Sequence, residues 1–205
     1  MKTSHFQTLK QQFNSITSRP STDWEAVNVP SEYLVEFCMH LRSNFAFDML
    51  VDLTAIDLGI NESPRFVTIY HFFSSINHNY FRVACECTDT EPPTMISLTN
   101  IWPAANWHER EAYDMFGIKF QGHPDLSRIL MWQGYPYYPL RKDFPLAGIE
   151  TDLPGKDVVE ETKAKVIPAP LDGGPFHGVQ ASTVKKREPK GYDESWSEQH
   201  PKPLS

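Results

Sequence analysis

Two cysteines one residue apart, Cys85 and Cys87, are the first residues in this sequence whose type could bind a metal. A zinc or iron-sulfur site needs four donors and usually contains a C-x-x-C spacing, which lets two sulfurs reach one ion. Here both cysteines alternate with polar residues, in step with Phe81 and Val83, which is typical of one buried face of a strand. Free cysteine behaves there as a small apolar side chain. We therefore expect both thiols in the core and no metal or cofactor on this chain.

A second candidate is the charged stretch 108–114. His108, Glu111 and Asp114 recur every three residues, so on a helix they share a face and could form the metal or acid-base site of a stand-alone hydrolase. A zincin helix would need a second histidine at position 112, which is Ala112. The alternative is a solvated helix face in which Arg110 and Asp114 pair at i, i+4. A third interpretation is that these charges meet a partner protein.

Phosphate-binding and acyl-transfer motifs are absent from the sequence. The ten glycines form no G-x-G-x-x-G after a strand, and Gly155-Lys156-Asp157 lacks the upstream glycine and the hydroxyl residue of a P-loop. No G-x-S-x-G elbow supplies a nucleophilic serine. The sequence therefore predicts neither a nucleotide site nor a hydrolytic triad.

The segment 126–145 combines aromatic and charged residues with prolines. Prolines at positions 136, 139 and 145 prevent a regular helix or a central strand, so these aromatic side chains cannot all enter a self-made core. Aromatic residues and arginines concentrated on an extended segment are typical of protein interfaces. A surface loop folded back on its own domain is the alternative. The polar and aromatic residues singled out are Arg128, Trp132, Arg141, Lys142 and Asp143.

The overall composition limits the class of protein. The chain has 205 residues, and its net charge of -7 disfavours binding to nucleic acid or to anionic lipid. No stretch reaches the ~20 apolar residues that span a bilayer, and Lys2 is not followed by the apolar h-region of a signal peptide. Three cysteines cannot build a disulfide framework, which fits a reducing cytoplasm. We expect a protein that is neither inserted into a membrane nor exported.

Helices are predicted both before and after the strands of the chain. Apolar spacing indicates helices at 4–16, capped by Ser4, and at 31–41, capped by Ser31. A short turn of helix is expected at 97–102 and a longer helix at 107–116. For the longer helix, Asn106 and Glu109 would form an Asn version of the capping box, and Gly117 would end it.

Strands are predicted between these helices. Alternation indicates strands at 45–55, 65–73 and 80–88, and the last two form a hairpin. The first strand would bury every second side chain, including Met49, Val51 and Leu53. The expected fold class is α+β, with a small antiparallel or mixed sheet covered by helices on one face. A helix, an extended segment and a long irregular C-terminal tail would follow.

The sequence divides into three parts. Residues 1–29 are expected to form an N-terminal helix and linker, and residues 30–145 an α+β domain that contains the blocks 107–145. Residues 146–205 hold seven prolines and the Gly173-Gly174 pair, without apolar periodicity long enough to fill a core. We expect this tail to be extended and to become ordered only on a partner.

Several blocks in order resemble the signature of a known family. They are EREAYDMFGI at 109–118, GHPDL at 122–126, RIL at 128–130 and PLRKDFP at 139–145. Together they are similar to the 30-kDa subunit, also known as the C subunit, of the proton-translocating NADH:quinone oxidoreductase, respiratory complex I. Linked blocks over about forty residues are far more specific than one short motif.

The resemblance implies a non-catalytic scaffold in the hydrophilic arm that supports electron transfer from NADH to quinone, coupled to proton translocation. It implies that FMN, iron-sulfur clusters, NADH and quinone lie on other polypeptides, that the D and B subunits are neighbours, and that the chain lies peripherally on the cytoplasmic side of the inner membrane. An equivalent module of an energy-converting hydrogenase or another quinone-linked dehydrogenase is the alternative within this resemblance. The expected partner interface comprises Glu109, Arg110, Glu111, Asp114, His123, Arg128, Trp132, Arg141, Lys142 and Asp143.

Overall fold

The computed structural model of the protein describes residues 5–88, 91–146 and 148–167. The chain divides into two compact units, the first ending at Met131 and the second beginning at Trp132. The sequence placed its boundary later, at 145/146. Ser4, the expected cap of the first helix, and residues 168–205 of the expected tail lie outside the described residues.

Among its described residues, the first unit contains three α-helices: α1 (His5–Gln12), α2 (Leu34–Phe45) and α3 (Ala105–Phe116). Lys10, in the last turn of α1, donates from its ammonium to the carbonyls of Asn14 and Ile16, which follow the helix. A 3-10 turn, Ser31–Tyr33, precedes α2. Tyr33 is the N-cap of α2 and makes no side-chain cap hydrogen bond. The predicted cap at Ser31 is therefore wrong, because the chain enters α2 through that tighter turn.

A five-stranded mixed sheet packs against these helices, which confirms the α+β class. Its strands lie in the order β1 (Thr17–Ser18), β2 (Glu25–Asn28), β5 (Asn79–Glu86), β4 (Phe66–Ser74) and β3 (Met49–Asp57). β2 and β5 are parallel, and the other neighbours are antiparallel. The predicted hairpin is β4 and β5. The strands β1 and β2 were not predicted, because two to four residues are too few to show a period.

In the first half of β3, the side chains that face the core are not the ones predicted. Leu53 is buried as expected, but Met49 and Val51 are exposed by 48% and 41%, and Leu50 is buried instead. The register with β4 shifts between Leu50 and Asp52. A β-bulge adds one residue to a strand and so exchanges the two faces on either side of it. Alternation read from the sequence continues through the bulge, and the prediction for the first half is therefore wrong.

One face of the sheet and the helices α1, α2 and α3 enclose the main core, and Val67, Ile69 and Ala84 form a second, small buried cluster. The two cysteines of the C-x-C pair lie in the main core, Cys85 exposed by 1% and Cys87 by 5%, as predicted. Burial raises the pKa of Cys85 to about 12, so its thiol stays protonated and apolar. Other fully buried members of the core are Leu9, Phe37, Leu41, Leu53, Tyr70, Phe72, Phe81 and Val83.

In sequence, α3 lies between two short strands, β6 (Thr94–Ile96) and β7 (Lys119–Gln121). These two strands pair with each other in parallel. The N-cap of α3 is Ala104, which makes no side-chain cap, and Asn106 lies inside the helix. The predicted capping box is therefore wrong, since the Glu109 side chain is bonded elsewhere. Residues 97–102 form turns in which the Leu98 carbonyl accepts the N–H groups of Ile101 and Trp102, in agreement with the short turn of helix expected there. The predicted stop is confirmed: Gly117 has φ 79, and its N–H donates to the Tyr113 carbonyl.

Replacing Gly117 with alanine is expected to lower the free energy of unfolding by about 1–2 kcal/mol, because a Cβ is strained in the left-handed conformation at the end of α3. Gly117→Asn is the graded control, since asparagine tolerates this conformation better and should lose less stability. Urea denaturation followed by circular dichroism measures both. Equal losses for the two variants would contradict the conformational explanation.

The second unit is described over 132–146 and 148–167 and begins with turns and irregular backbone up to 146. Two short antiparallel strands, β8 (Thr151–Asp152) and β9 (Lys165–Val166), then flank the helix α4 (Lys156–Thr162). This part of the expected irregular tail is therefore folded. The helix α4 has Gly155 as its N-cap and was not predicted from the sequence. Across all described residues, no helix has the length and apolar character needed to cross a membrane.

Candidate functional site

The carboxylate of Asp114, near the end of α3, binds the backbone that follows β7. One oxygen, Oδ2, accepts the backbone N–H groups of Ile129, Leu130 and Met131 at 3.0, 2.7 and 2.8 Å. The other, Oδ1, accepts the Arg128 guanidinium at 2.5 Å. The Asp114 side chain is fully buried. We call Asp114 with residues 128–131 the aspartate cage.

The aspartate cage keeps Asp114 charged. Burial alone would raise the pKa of the Asp114 carboxyl, because it penalises the charged form. The hydrogen bonds from the Met131 N–H, the Arg128 guanidinium and the other two N–H groups outweigh burial, and the pKa lies below its ordinary value. Arg128 is itself only 8% exposed. The cage is therefore an anion site that the chain fills with its own carboxylate.

Arg110 holds the same backbone from one turn earlier on α3. Its Nε donates to the Ser127 carbonyl at 3.0 Å, and its Nη2 donates to the Arg128 carbonyl at 3.3 Å. The guanidinium also lies over the Trp107 ring, 5.2 Å from the centroid. The i, i+4 ion pair between Arg110 and Asp114, which the sequence favoured, is therefore replaced by contacts of both residues with 127–131. These contacts span fourteen or more residues in sequence, which periodicity cannot reveal.

Glu109 faces the core from α3 and is fully buried. Its Oε1 accepts the backbone N–H of Leu98 at 2.7 Å. Burial raises the pKa of Glu109 to about 7, although hydrogen bonds from the Leu98 N–H and the Ser97 side chain oppose the rise. Glu109 therefore joins α3 to the turns that lead from β6 into the helix.

His123 binds the loop after β7 to the beginning of α3. Its Nδ1 accepts the Asp125 N–H at 3.0 Å, and its Nε2 lies 3.1 Å from the Asn106 carbonyl oxygen. A ring whose Nδ1 accepts and whose Nε2 donates is the neutral tautomer. His123 thus has both ring nitrogens engaged inside the chain.

The three residues of the hydrolase alternative do not meet at one site. His108 lies 3.5 Å from the Asp52 carboxylate on β3, Glu111 is exposed, and Asp114 is buried in its cage. They make separate contacts because only part of the α3 face is turned toward the core. In the described parts of the chain, no three His, Cys, Asp or Glu side chains are arranged to hold a metal ion.

A charged row across the outer face of the sheet was not singled out from the sequence. Arg82 donates from Nε to His71 Nε2 at 2.7 Å and from Nη2 to Asp23 at 2.9 Å, and His71 Nδ1 lies 3.5 Å from Asp52. Burial first and the Arg82 charge second lower the pKa of His71, which suits its role as a neutral acceptor. The sequence signal for this row was a polar residue at alternate positions of neighbouring strands. That signal does not show which polar residues meet, because their pairing depends on strand register.

In the second unit, the residues expected at an interface differ in exposure. Lys142 is exposed, whereas the Arg141 guanidinium lies over the Tyr138 ring, 4.7 Å from the centroid. Trp132 contacts Tyr135 edge-on, with ring centroids 4.6 Å apart. Several aromatic rings of this segment therefore pack on each other. A cleft of about 520 Å³ lies within the unit, lined among others by Trp132, Tyr137, Thr151, Pro154, Lys156 and Val159.

The expected interface residues thus range from fully buried to exposed. Glu109 and Asp114 are fully buried within the chain, so they act by positioning backbone and not as surface contacts. The physical reason is that both carboxylates satisfy backbone N–H groups of neighbouring segments. Glu111 and Lys142 are exposed. The Arg128 side chain is only 8% exposed, and the half-buried members are Arg110, His123, Trp132, Arg141 and Asp143.

Comparison with known proteins matches this arrangement to one family. A family profile described as "Respiratory-chain NADH dehydrogenase, 30 Kd subunit" matches residues 27–150. The C 2 subunit of NADH-quinone oxidoreductase from Rhizobium meliloti (strain 1021) is 49% identical over 130 residues, which cover 62% of this chain and 70% of that protein. The C/D subunit of NADH-quinone oxidoreductase from Sulfurihydrogenibium sp. (strain YO3AOP1) is 48% identical over 132 residues, covering 63% of this chain and 22% of that protein.

A solved structure shares the fold. A chain in the structure of the membrane-bound sulfane sulfur reductase, an archaeal respiratory membrane complex, has a TM-score of 0.61 and 17% sequence identity. The match covers 87% of this chain and 96% of that one. The profile match includes α3, the aspartate cage and most of the sheet. The chain therefore belongs to the family of the 30-kDa subunit of the respiratory-chain NADH dehydrogenase.

Proposed function

We propose that this chain is a non-catalytic scaffold in the hydrophilic arm of its complex, where it holds neighbouring subunits in place while electrons pass from NADH to quinone and protons are translocated. As a member of its family, the chain is a subunit of a multisubunit NADH-quinone oxidoreductase. In this proposal its contribution to turnover is to fix the geometry of chains that carry the redox groups.

The aspartate cage is the observation that carries this proposal. The family's acidic and basic signature residues, Asp114, Arg110 and Arg128, are bound to each other or to backbone atoms. Groups engaged in this way stabilise the protein and are not free to move protons to or from a substrate. These contacts support a signature that positions backbone segments over one that forms a reaction centre.

The proposal extends to cofactors, partners and place. FMN, iron-sulfur clusters, NADH and quinone would be bound by other polypeptides of the complex. The D and B subunits would be the neighbours, and the Sulfurihydrogenibium relative, whose name joins C and D in one chain, supports the choice of D. The chain would lie peripherally on the cytoplasmic side of the inner membrane.

The alternatives have less support. The hydrolase would need His108, Glu111 and Asp114 in one site, and these side chains make separate contacts. A module of an energy-converting hydrogenase or another quinone-linked dehydrogenase shares the scaffold role. Sequence identities of 48–49% to NADH-quinone oxidoreductase subunits, against 17% to the sulfane sulfur reductase chain, favour the former complex.

Reversing the charge of Lys142 is expected to reduce incorporation of the chain into its complex about tenfold or more, since like charges placed across an interface cost several kcal/mol. Lys142 is the sharper test than Arg141 or Asp143, because it is exposed while the other two are half-buried. Lys142→Glu is introduced into the native source, and the assembled complex is quantified on native gels together with quinone reduction.

Lys119→Glu is the matched control. Lys119 is also exposed, but it lies on β7, outside the expected interface set, so the variant should assemble normally. Assembly and quinone reduction at the wild-type level in Lys142→Glu would contradict the assignment of this interface. Turnover by the isolated chain, or stoichiometric iron, flavin or zinc bound to it, would contradict the scaffold function itself.

A further inference from the structure

Three buried polar atoms of the main core make no hydrogen bond with the described residues. They are the hydroxyl of Tyr70 on β4, the indole Nε1 of Trp102 in the turns before α3, and Oε2 of Glu109 on α3. The three residues are exposed by 0%, 3% and 0%. A polar atom that leaves bulk solvent without a new partner costs free energy, and nearly all such atoms in folded proteins are bonded to protein or to an ordered water.

The structure brings these three side chains together around Leu98 and Phe72. The Leu98 N–H donates to Glu109 Oε1 at 2.7 Å, and the Leu98 carbonyl accepts the Trp102 N–H at 2.9 Å. The Phe72 ring contacts the rings of Tyr70 and Trp102, with centroids 6.2 and 4.7 Å apart. Glu109 also acts electrostatically on the Tyr70 phenol. The three unpartnered atoms therefore lie in one part of the core, and none of them is bonded to another.

The chemistry of these atoms selects the ligand that fits between them. An indole N–H only donates, an ionised carboxylate oxygen only accepts, and a phenol does both. One water molecule can accept from Trp102 and Tyr70 and donate to Glu109 Oε2. If Oε2 carries the proton, the same water accepts from Trp102 and Glu109 and donates to the phenol oxygen. An apolar ligand would leave all three atoms unsatisfied, and an indole N–H presents no lone pair to a metal ion.

We propose that an internal water molecule bridges Tyr70, Trp102 and Glu109 as a fixed part of the fold. The water joins the sheet, the turns 97–102 and the signature helix α3 through polar contacts, in addition to their apolar packing. This site does not depend on the scaffold function. A single enclosed water replaces little of the hydration that a carboxylate has in bulk solvent, so burial still raises the pKa of Glu109.

A crystal structure of the full 205-residue chain, alone or in its complex, at a resolution that shows ordered waters, is the direct test. We expect a solvent peak at about 2.7–3.2 Å from the Tyr70 hydroxyl, Trp102 Nε1 and Glu109 Oε2. The absence of such a peak, or direct hydrogen bonds from these atoms to other protein groups, overturns the proposal.

NMR of the labelled chain tests the same site in solution. The Trp102 indole proton should show a cross-peak with water in which the NOE and the rotating-frame NOE have opposite signs, because the water stays bound for longer than the protein takes to tumble. The indole of Trp107, which is 64% exposed, is the matched control. It contacts bulk water, whose residence is too short to give this pattern. A Trp102 indole that behaves like that of Trp107 overturns the proposal.

Two variants distinguish the water from exchangeable side-chain hydroxyls. Tyr70→Phe and Glu109→Gln each remove one hydroxyl that could relay magnetisation, and each leaves the water two or more partners. The water cross-peak of the Trp102 indole should persist in both. Its loss in either variant would assign the signal to that hydroxyl and contradict the bridging water. If a variant does not fold, the wild-type solvent peak still decides.

Discussion

Replacing Asp114 with alanine is expected to lower the free energy of unfolding by about 3–5 kcal/mol. The change leaves the Arg128 guanidinium, 8% exposed, without its carboxylate, and it leaves the N–H groups of Ile129, Leu130 and Met131 without an acceptor. The penalty is large because it combines an uncompensated charge with unsatisfied backbone groups. Urea denaturation followed by circular dichroism measures the loss.

Glu111→Ala is the matched control for the aspartate cage. Glu111 is an acidic residue on the same helix, but it is exposed, so its loss should change stability by no more than about 0.5 kcal/mol. Asp114→Asn keeps the shape and one carbonyl acceptor and should fall between the two. If Asp114→Ala were as stable as Glu111→Ala, the cage would not hold 128–131 in solution.

The stability of the wild-type protein is expected to fall by about 3 kcal/mol as the pH rises from 4.5 to about 7, through Glu109 alone. Burial raises the pKa of Glu109 to about 7, so the folded protein holds this proton more tightly than the unfolded chain does. The contribution is therefore fully present below the unfolded pKa and is lost as the pH rises through the folded one. Denaturation series at several pH values measure the slope.

Glu109→Gln isolates this contribution from the other carboxylates. The amide keeps the acceptor for the Leu98 N–H but cannot ionise, so the variant should lack the fall and should be the more stable protein above about pH 7. Asp114, whose pKa is lowered, contributes in the opposite direction, because its stabilisation is present above the unfolded pKa and is lost toward acid. Identical slopes for wild type and Glu109→Gln would show that Glu109 is hydrated in the folded state.

Much of the fold follows from local patterns in the sequence. The apolar spacing of α2, the hairpin of β4 and β5, and the stop at Gly117 are set by side-chain period and backbone conformation within a few residues. The burial of Cys85 and Cys87 follows from the same alternation. The signature blocks then identified the family, because ordered blocks of residue types can be matched without knowing their contacts.

The faces of β3 and the contacts of the site were less predictable, each for a physical reason. The bulge between Leu50 and Asp52 inserts one residue into β3, and alternation cannot reveal an insertion that the partner strand defines. Likewise, the spacing of three residues between Asn106 and Glu109 suggests a capping box, but the Glu109 carboxyl group accepts a hydrogen bond from the Leu98 N–H across a turn. Each error comes from a contact made with another element.

The sequence by itself determined the α+β class, the helix that carries the acidic signature and the family. Only the tertiary structure decided what the signature residues do, because a carboxylate on a helix is equally compatible with solvent, a neighbour four residues away or a distant backbone. Asp114 takes the last of these, since residues 129–131 present three N–H groups to it and Arg128 neutralises its charge. This contact forms because the chain after β7 returns to α3. Burial then stabilises the contact by excluding the water that would compete for both partners.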